Sequence, residues 1–209
     1  NHYKRIVTKP ITNELLLTEG EDLTVSLPSA DCILGDKLTA FAPYTTGIPL
    51  YKNKDLEVIK QFFDVSTLID VIENFNDVRD TYYAVSATEL QYRASEATSA
   101  QALEDTIQAA ICIGSRGKTA PLDFPSYVRG TRDIVNHIYE PGFSMETAST
   151  LAPKVIYLAS CLLTGQLFSA VDDPEPLRTE ALTQEDLKTM KAMKKLRTDG
   201  YAYLVKADR

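Results

Sequence analysis

The chain has 209 residues, a net charge of −7 and 44 % apolar residues, which suits one folded domain, with or without a small appendage. No apolar run approaches the roughly 20 residues needed to span a bilayer, and the opening NHYKRIVTKP lacks the apolar core of a signal peptide. The acidic balance excludes broad, nonspecific nucleic-acid binding but leaves room for a local basic patch. His2 and His137 cannot build a His-rich metal site, and the separated Cys32, Cys112 and Cys161 read as reduced, buried thiols of a cytoplasmic protein.

In chain order, residues 4–27 read as extended. KRIVTKPI and LTVSL alternate or are rich in β-branched residues, with a turn at Glu19-Gly20-Glu21. Two or three strands do not make a stable isolated sheet, so they call for partners. After Pro28 the pattern becomes helical. SADCILGDKLTAF opens on Ser29 as N-cap with Asp31 in the first turn, and Pro43 stops it. The loop APYTTGIPLYKNK follows, then DLEVIKQFFDVSTLIDVIENF as one long helix, apolar around most of its circumference and therefore central. NDVRDTYYAVSATELQYRASEA and SAQALEDTIQAAICIG read as two more helices, and GSRGKTAPLDFP as a loop. SYVRGTRDIVNHIYEPG and SMETASTLAPKVIYLASCLL read as further helices, the second kinked at Pro153. TGQLFSAVDDPEPLRTEAL reads as a linker, TQEDLKTMKAMKKLR as a last, basic helix, and YAYLVKADR as a short tail. The fold class is α+β, mostly α: short N-terminal strands followed by a helical bundle, with the helices over 53–74 and 146–164 expected at its centre.

One phosphate-binding motif fails on inspection. GSRGKT (114–119) ends like a P-loop, but that pattern needs Gly where Cys112 stands and a strand where a helix reads. The same stretch mimics a Gly-Ser turn followed by Asp-x-Asp, but Pro125 stands where the second carboxylate belongs. A helix cap with a solvated loop explains these residues.

Lys37 is anomalous. On a helical wheel it falls between Ile33 and Phe41, inside the apolar arc of Leu34, Leu38 and Phe41, so it must snorkel, pair, or point into a polar cavity. The next helix is apolar except along Glu57, Lys60 and Asp64. That stripe reads either as a solvent-facing edge with a Lys60–Asp64 i, i+4 pair, or as a polar channel through a buried helix.

The run PSADCILGDKLTAFAPYTTGIP, followed by a charged spacer and EVIKQFFDVSTLID, resembles the third and fourth motifs of the AbiEii/AbiGii nucleotidyltransferases, the toxin half of bacterial toxin–antitoxin (abortive infection) pairs. YVRGTRDIVNHIYEPGFSMETASTLAPKVIYLA resembles their helical C-terminal half, so the similarity spans roughly residues 3–165. Gln61 and Pro153 depart from the pattern, leaving Asp64 as the acidic candidate of its motif. The resemblance implies a DNA polymerase beta-like core and a chain that begins just after the metal-binding strands. Residues 1–50 would then be the end of the nucleotidyltransferase core, its strands a remnant of that sheet. Residues 51–165 would be the helical C-terminal domain, and 166–209 a linker, basic helix and tail. It implies Mg2+ in the full-length protein, an NTP as substrate, tRNA as acceptor, a cognate antitoxin as partner, no membrane, and no transfer by this chain alone. In such phosphoryl transfer a cation offsets charge on the triphosphate. Lys37 would be that cation and Asp64 would orient it or the nucleotide. Asp36 and Lys60 would support them, and Thr45, Thr46 and Gly47 would form a loop approaching phosphate or base.

The final helix offers a second interface. Lys188, Lys191 and Lys195 share a helical face with Lys194 beside them, and Arg197, Lys206, Tyr201 and Tyr203 stand close by, which suits RNA contact through phosphate pairing and base stacking. A solvated face that complements the helix dipole explains the same lysines. The competing function is a noncatalytic helical module that binds RNA or an antitoxin protein.

Overall fold

The computed structural model describes residues 2–12, 23–139 and 142–209. The expected turn at Glu19-Gly20-Glu21 lies outside them. Strands β1 (Ile6–Pro10) and β2 (Thr24–Pro28) pair antiparallel, from Ile6 opposite Pro28 to Pro10 opposite Thr24. They form the one sheet among the described residues. Most of their side chains are exposed, so the pair adds little to the core. Polar ties hold it to the bundle: Ser29 N–H donates to the Arg5 carbonyl, the Arg5 guanidinium lies 3.3 Å from Glu73, and Lys4 pairs with Asp80.

Among the described residues, everything after β2 is helical or connecting. Helix α1 (Ala30–Ala40) starts where Ser29 accepts from the Cys32 N–H. It lies against α3 (Phe75–Tyr92) with backbones nearly touching, because a Cβ on Gly35 would sit 2.5 Å from the Val78 carbonyl.

The expected single helix over 55–75 divides. Helix α2 (Asp55–Leu68) tightens into a 3-10 turn at Ile69–Val71, and α3 begins afresh behind Asn74, whose side chain caps it. The break is held from a distance. The buried carboxylate of Asp31, in the first turn of α1, accepts the N–H groups of Glu73 (3.0 Å) and Asn74 (3.2 Å). Orphan donors at a helix start thereby gain a charged acceptor.

Helix α4 (Ser99–Gly114) opens with a full capping box between Thr98 and Gln101. Helix α5 (Phe124–Ile134) ends earlier than the pattern indicates, because the His137 N–H closes a tight turn on the Ile134 carbonyl. Helix α6 (Met145–Thr164) runs from its Ser144 cap to Gly165 at φ 74°, passing through Pro153 without interruption.

The centre of the bundle is α4 against α6, not α2 against α6. Ala102, Ala109 and Ala110 of α4, with Ala148, Ala152 and Ala159 of α6, are buried and let the helices approach. Helix α2 buries one face through Val58, Ile59, Phe62 and Val65. Helix α5 presses onto it at Gly130, where a Cβ would meet the Asp55 carbonyl at 2.1 Å.

The C-terminal region differs most from expectation. The basic helix over 183–197 is two single turns, α7 (Glu185–Lys188) and α8 (Met193–Leu196). The expected tail is instead α9 (Thr198–Ala207), a ten-residue helix that buries Tyr201, Ala202, Leu204 and Val205 and packs on α6. All three cysteines are free and buried. No helix among the described residues is long and apolar enough to cross a membrane.

Candidate functional site

Helices α1 and α2 cross so that the anomalous lysine of one meets the polar stripe of the other. Lys37 Nζ lies 2.8 Å from Asp64 Oδ2 and donates to Gln61 Oε1 at 3.2 Å. The expected Lys60–Asp64 pair along α2 is absent among the described ion pairs, since Asp64 turns to Lys37 instead. Both partners are about one-third exposed, so the pair adds at most about 1 kcal/mol to stability. Its main effect is to fix the direction of the ammonium.

The pair lines an open cleft of about 480 Å3, which Lys60, His137 and Tyr139 also line. Asp64 is the one carboxylate among the described lining residues, against the cations Lys37 and Lys60. Two ammonium groups against one carboxylate leave the described lining with a net positive charge. Sequence did not place His137 or Tyr139 at this site, and it marked Gln61 only as a departure from the family pattern. Gln61 was detectable, lying i, i+3 from Asp64 on the same face of α2. His137 and Tyr139 reach the cleft only because α5 stops at Ile134.

The other residues assigned to nucleotide binding do not line this cleft. The Asp36 carboxylate accepts from the Tyr3 phenol at 2.9 Å, and that hydrogen bond, with burial, raises the Tyr3 pKa. Thr46 is buried and donates to the Thr39 carbonyl at 2.7 Å, while Thr45 donates to Asp105 at 2.8 Å. Gly47 is a steric need of the same loop, since a Cβ would lie 2.4 Å from the Ala42 nitrogen. This segment is strapped down further. Tyr44 N–H donates to Asp105, and the Tyr44 and Tyr51 phenols both donate to Asp123. Thr45, Thr46 and Gly47 are thus accounted for by the loop's own geometry.

The tyrosines expected to stack on bases are also committed elsewhere. Tyr201 is buried and donates to the Glu180 carbonyl at 2.8 Å; the Tyr203 oxygen accepts from the Val171 N–H at 3.3 Å. Lys206 donates to the Ser169 and Ala170 carbonyls, and Arg197 pairs with Glu146 at 2.9 Å. The burial of α9 withdraws Tyr201 from solvent and leaves Tyr203 half-buried. Lys188, Lys191, Lys194 and Lys195 still line a common hollow, described below.

GSRGKT is a helix C-cap. Ser115, Arg116 and Gly117 N–H groups donate to the Ile111, Ile113 and Cys112 carbonyls, and Arg116 and Gly117 are left-handed at φ 54° and 79°. Amides that close α4 are not free to cradle a phosphate.

No family model, curated protein or solved structure matches this chain. The described residues gather no group of three or more His, Cys, Asp or Glu side chains that could hold a metal ion. Beside Lys37 and Lys60, the single carboxylate of Asp64 does not suit Mg2+, whose preferred ligands are oxygens and which needs compensating negative charge.

Proposed function

We propose that this chain carries the lysine-bearing part of a nucleotidyl-transfer site, with the phosphates of an NTP lying against Lys37 and Lys60 in the cleft between α1 and α2. The observation that supports this most is the Lys37–Asp64 contact at 2.8 Å. It joins the two separate runs that resemble neighbouring motifs of the AbiEii/AbiGii nucleotidyltransferases. In this reading an acceptor hydroxyl attacks the α-phosphorus. The new O–P bond forms as the bond to the β-phosphate bridge breaks, pyrophosphate leaves, and the hydroxyl proton passes to solvent. Lys37 offsets negative charge on the triphosphate, a contribution made by positioning and electrostatics rather than covalent chemistry. Asp64 and Gln61 hold its ammonium in place, and Lys60 adds a second cation. A tRNA end as acceptor, a growth-arresting role and a cognate antitoxin belong to the same proposal and rest on the resemblance.

Calorimetric titration with ATP, GTP, CTP and UTP tests the binding half directly. One or more should bind saturably, and Lys37→Ala should weaken binding by about tenfold or more, as for loss of a charge-assisted contact, with an unchanged melting temperature. Equal affinity in Lys37→Ala, or no binding of any NTP, would overturn the assignment.

A further inference from the structure

The C-terminal region forms a second concavity, remote in sequence from the proposed transfer site. Turns α7 and α8 and the face of α9 surround a hollow of about 670 Å3. Its apolar lining includes Leu182, Leu196 and Tyr201, and Leu196 is 74 % exposed, an aliphatic side chain left at the lip. Lys188, Lys191, Lys194 and Lys195 line the same hollow, and no acidic residue does so among the described residues. In a chain of net charge −7, four ammonium groups around an aliphatic floor form a sharply localised positive field.

A ligand recognised by charge alone has no use for the apolar floor, and one recognised by apolar contact alone has no use for the lysines. Single-stranded nucleic acid needs aromatic faces for its bases. Here the Tyr201 ring is 2 % exposed, with its hydroxyl committed to Glu180 and the Lys194 ammonium 5.7 Å from its centroid. What matches both halves is a chain bearing bulky apolar anchors flanked by carboxylates. The geometry points to a docking groove for an acidic amphipathic peptide segment of a partner protein, its apolar anchors on Leu182 and Leu196 and its Asp or Glu residues against the lysine rim. This is the helix-in-groove mode of recognition, with charge setting register and partner choice. The Lys188–Glu185 contact at 2.6 Å is an exposed pair, weak enough to be exchanged for a partner's carboxylate.

Fluorescence anisotropy tests this with a panel of labelled synthetic peptides carrying Leu and Phe at i, i+3, i+4 and i+7 and Glu or Asp elsewhere. Oligoglutamate and a single-stranded RNA of equal charge serve as alternatives. At least one amphipathic peptide should bind saturably and more tightly than oligoglutamate. Leu196→Glu, and separately Lys191→Glu with Lys195→Glu, should each weaken it by about tenfold or more. All three residues are exposed, so the melting temperature should not move. Failure of every amphipathic peptide to bind, oligoglutamate binding as tightly, RNA binding in their place, or indifference to Leu196→Glu would each overturn the assignment.

Discussion

The ammonium of Lys154 sits between both carboxylate oxygens of Asp70, at 2.7 and 2.6 Å. The two residues are unequally placed. Lys154, on the central helix α6, is 8 % exposed, whereas the Asp70 side chain, on the 3-10 turn after α2, is 61 % exposed. Removing the exposed partner strands a buried charge. Asp70→Ala should therefore cost about 2–3 kcal/mol, less than the roughly 3–5 kcal/mol for breaking a fully buried pair, because solvent reaches the site. Lys154→Met removes the charge, keeps the apolar stem, and should cost less than about 1 kcal/mol. Urea unfolding of both variants checks the asymmetry, and equal losses would refute it.

Asp105 carries the opposite logic. Burial raises its pKa above the ordinary carboxylate value, although hydrogen bonds from Thr45 and Tyr44 favour the ionised form. A raised folded-state pKa means that the folded protein holds this proton more tightly than the unfolded chain. The associated stability is present below the unfolded value of about 3.9 and is lost as pH rises through the folded value. Asp105→Asn keeps an acceptor for the Tyr44 N–H and the Thr45 hydroxyl and removes the ionisation. It should match the wild type in acid and be at least as stable near neutrality. The wild-type-minus-variant difference from denaturant titrations across pH 3–7 isolates the effect; a variant that is less stable at neutral pH would show that the charge itself holds the loop.

Gly130 couples the packing of α5 to the cleft. A methyl group there would fall 2.1 Å from the Asp55 carbonyl and 2.7 Å from the Ile59 side chain. Neither the backbone of α2 nor the buried Ile59 can yield cheaply, so Gly130→Ala should destabilise by about 2–3 kcal/mol, at the upper end for overpacking. The chain beyond α5 places His137 and Tyr139 beside Lys37 and Asp64. The same substitution should therefore weaken NTP binding measured under conditions where the variant remains folded. Thermal melts with calorimetry test both parts, and a variant of wild-type stability would show that α5 is free to shift.

Local chemistry made much of the fold legible. Ser29 starts α1, and β-branched alternation marks the two strands. The helical runs read from Ser99 and from Ser144 match α4 and α6. Each depends on residues within a turn or two of one another, which is the range over which sequence speaks directly. The break between α2 and α3 was not legible, because its acceptor, Asp31, is supplied from 42 positions away and its clamp on Asp70 comes from Lys154, 84 positions away. Helix α9 was read as a tail because so short a segment has little intrinsic helicity. The burial of Tyr201, Leu204 and Val205 against α6 makes it a helix and takes Tyr201 out of solvent.

Lys37 was visible as an anomaly, since a cation inside an apolar arc must find some polar outlet. Which outlet it finds is a tertiary matter. The crossing of α1 over α2 brings Asp64 and Gln61 to its ammonium in place of Lys60 to Asp64 along one helix. Side-chain periodicity assigns each residue to a face. Only the packing of two faces, set by close approaches such as those at Gly35 and Gly130, decides which charges meet.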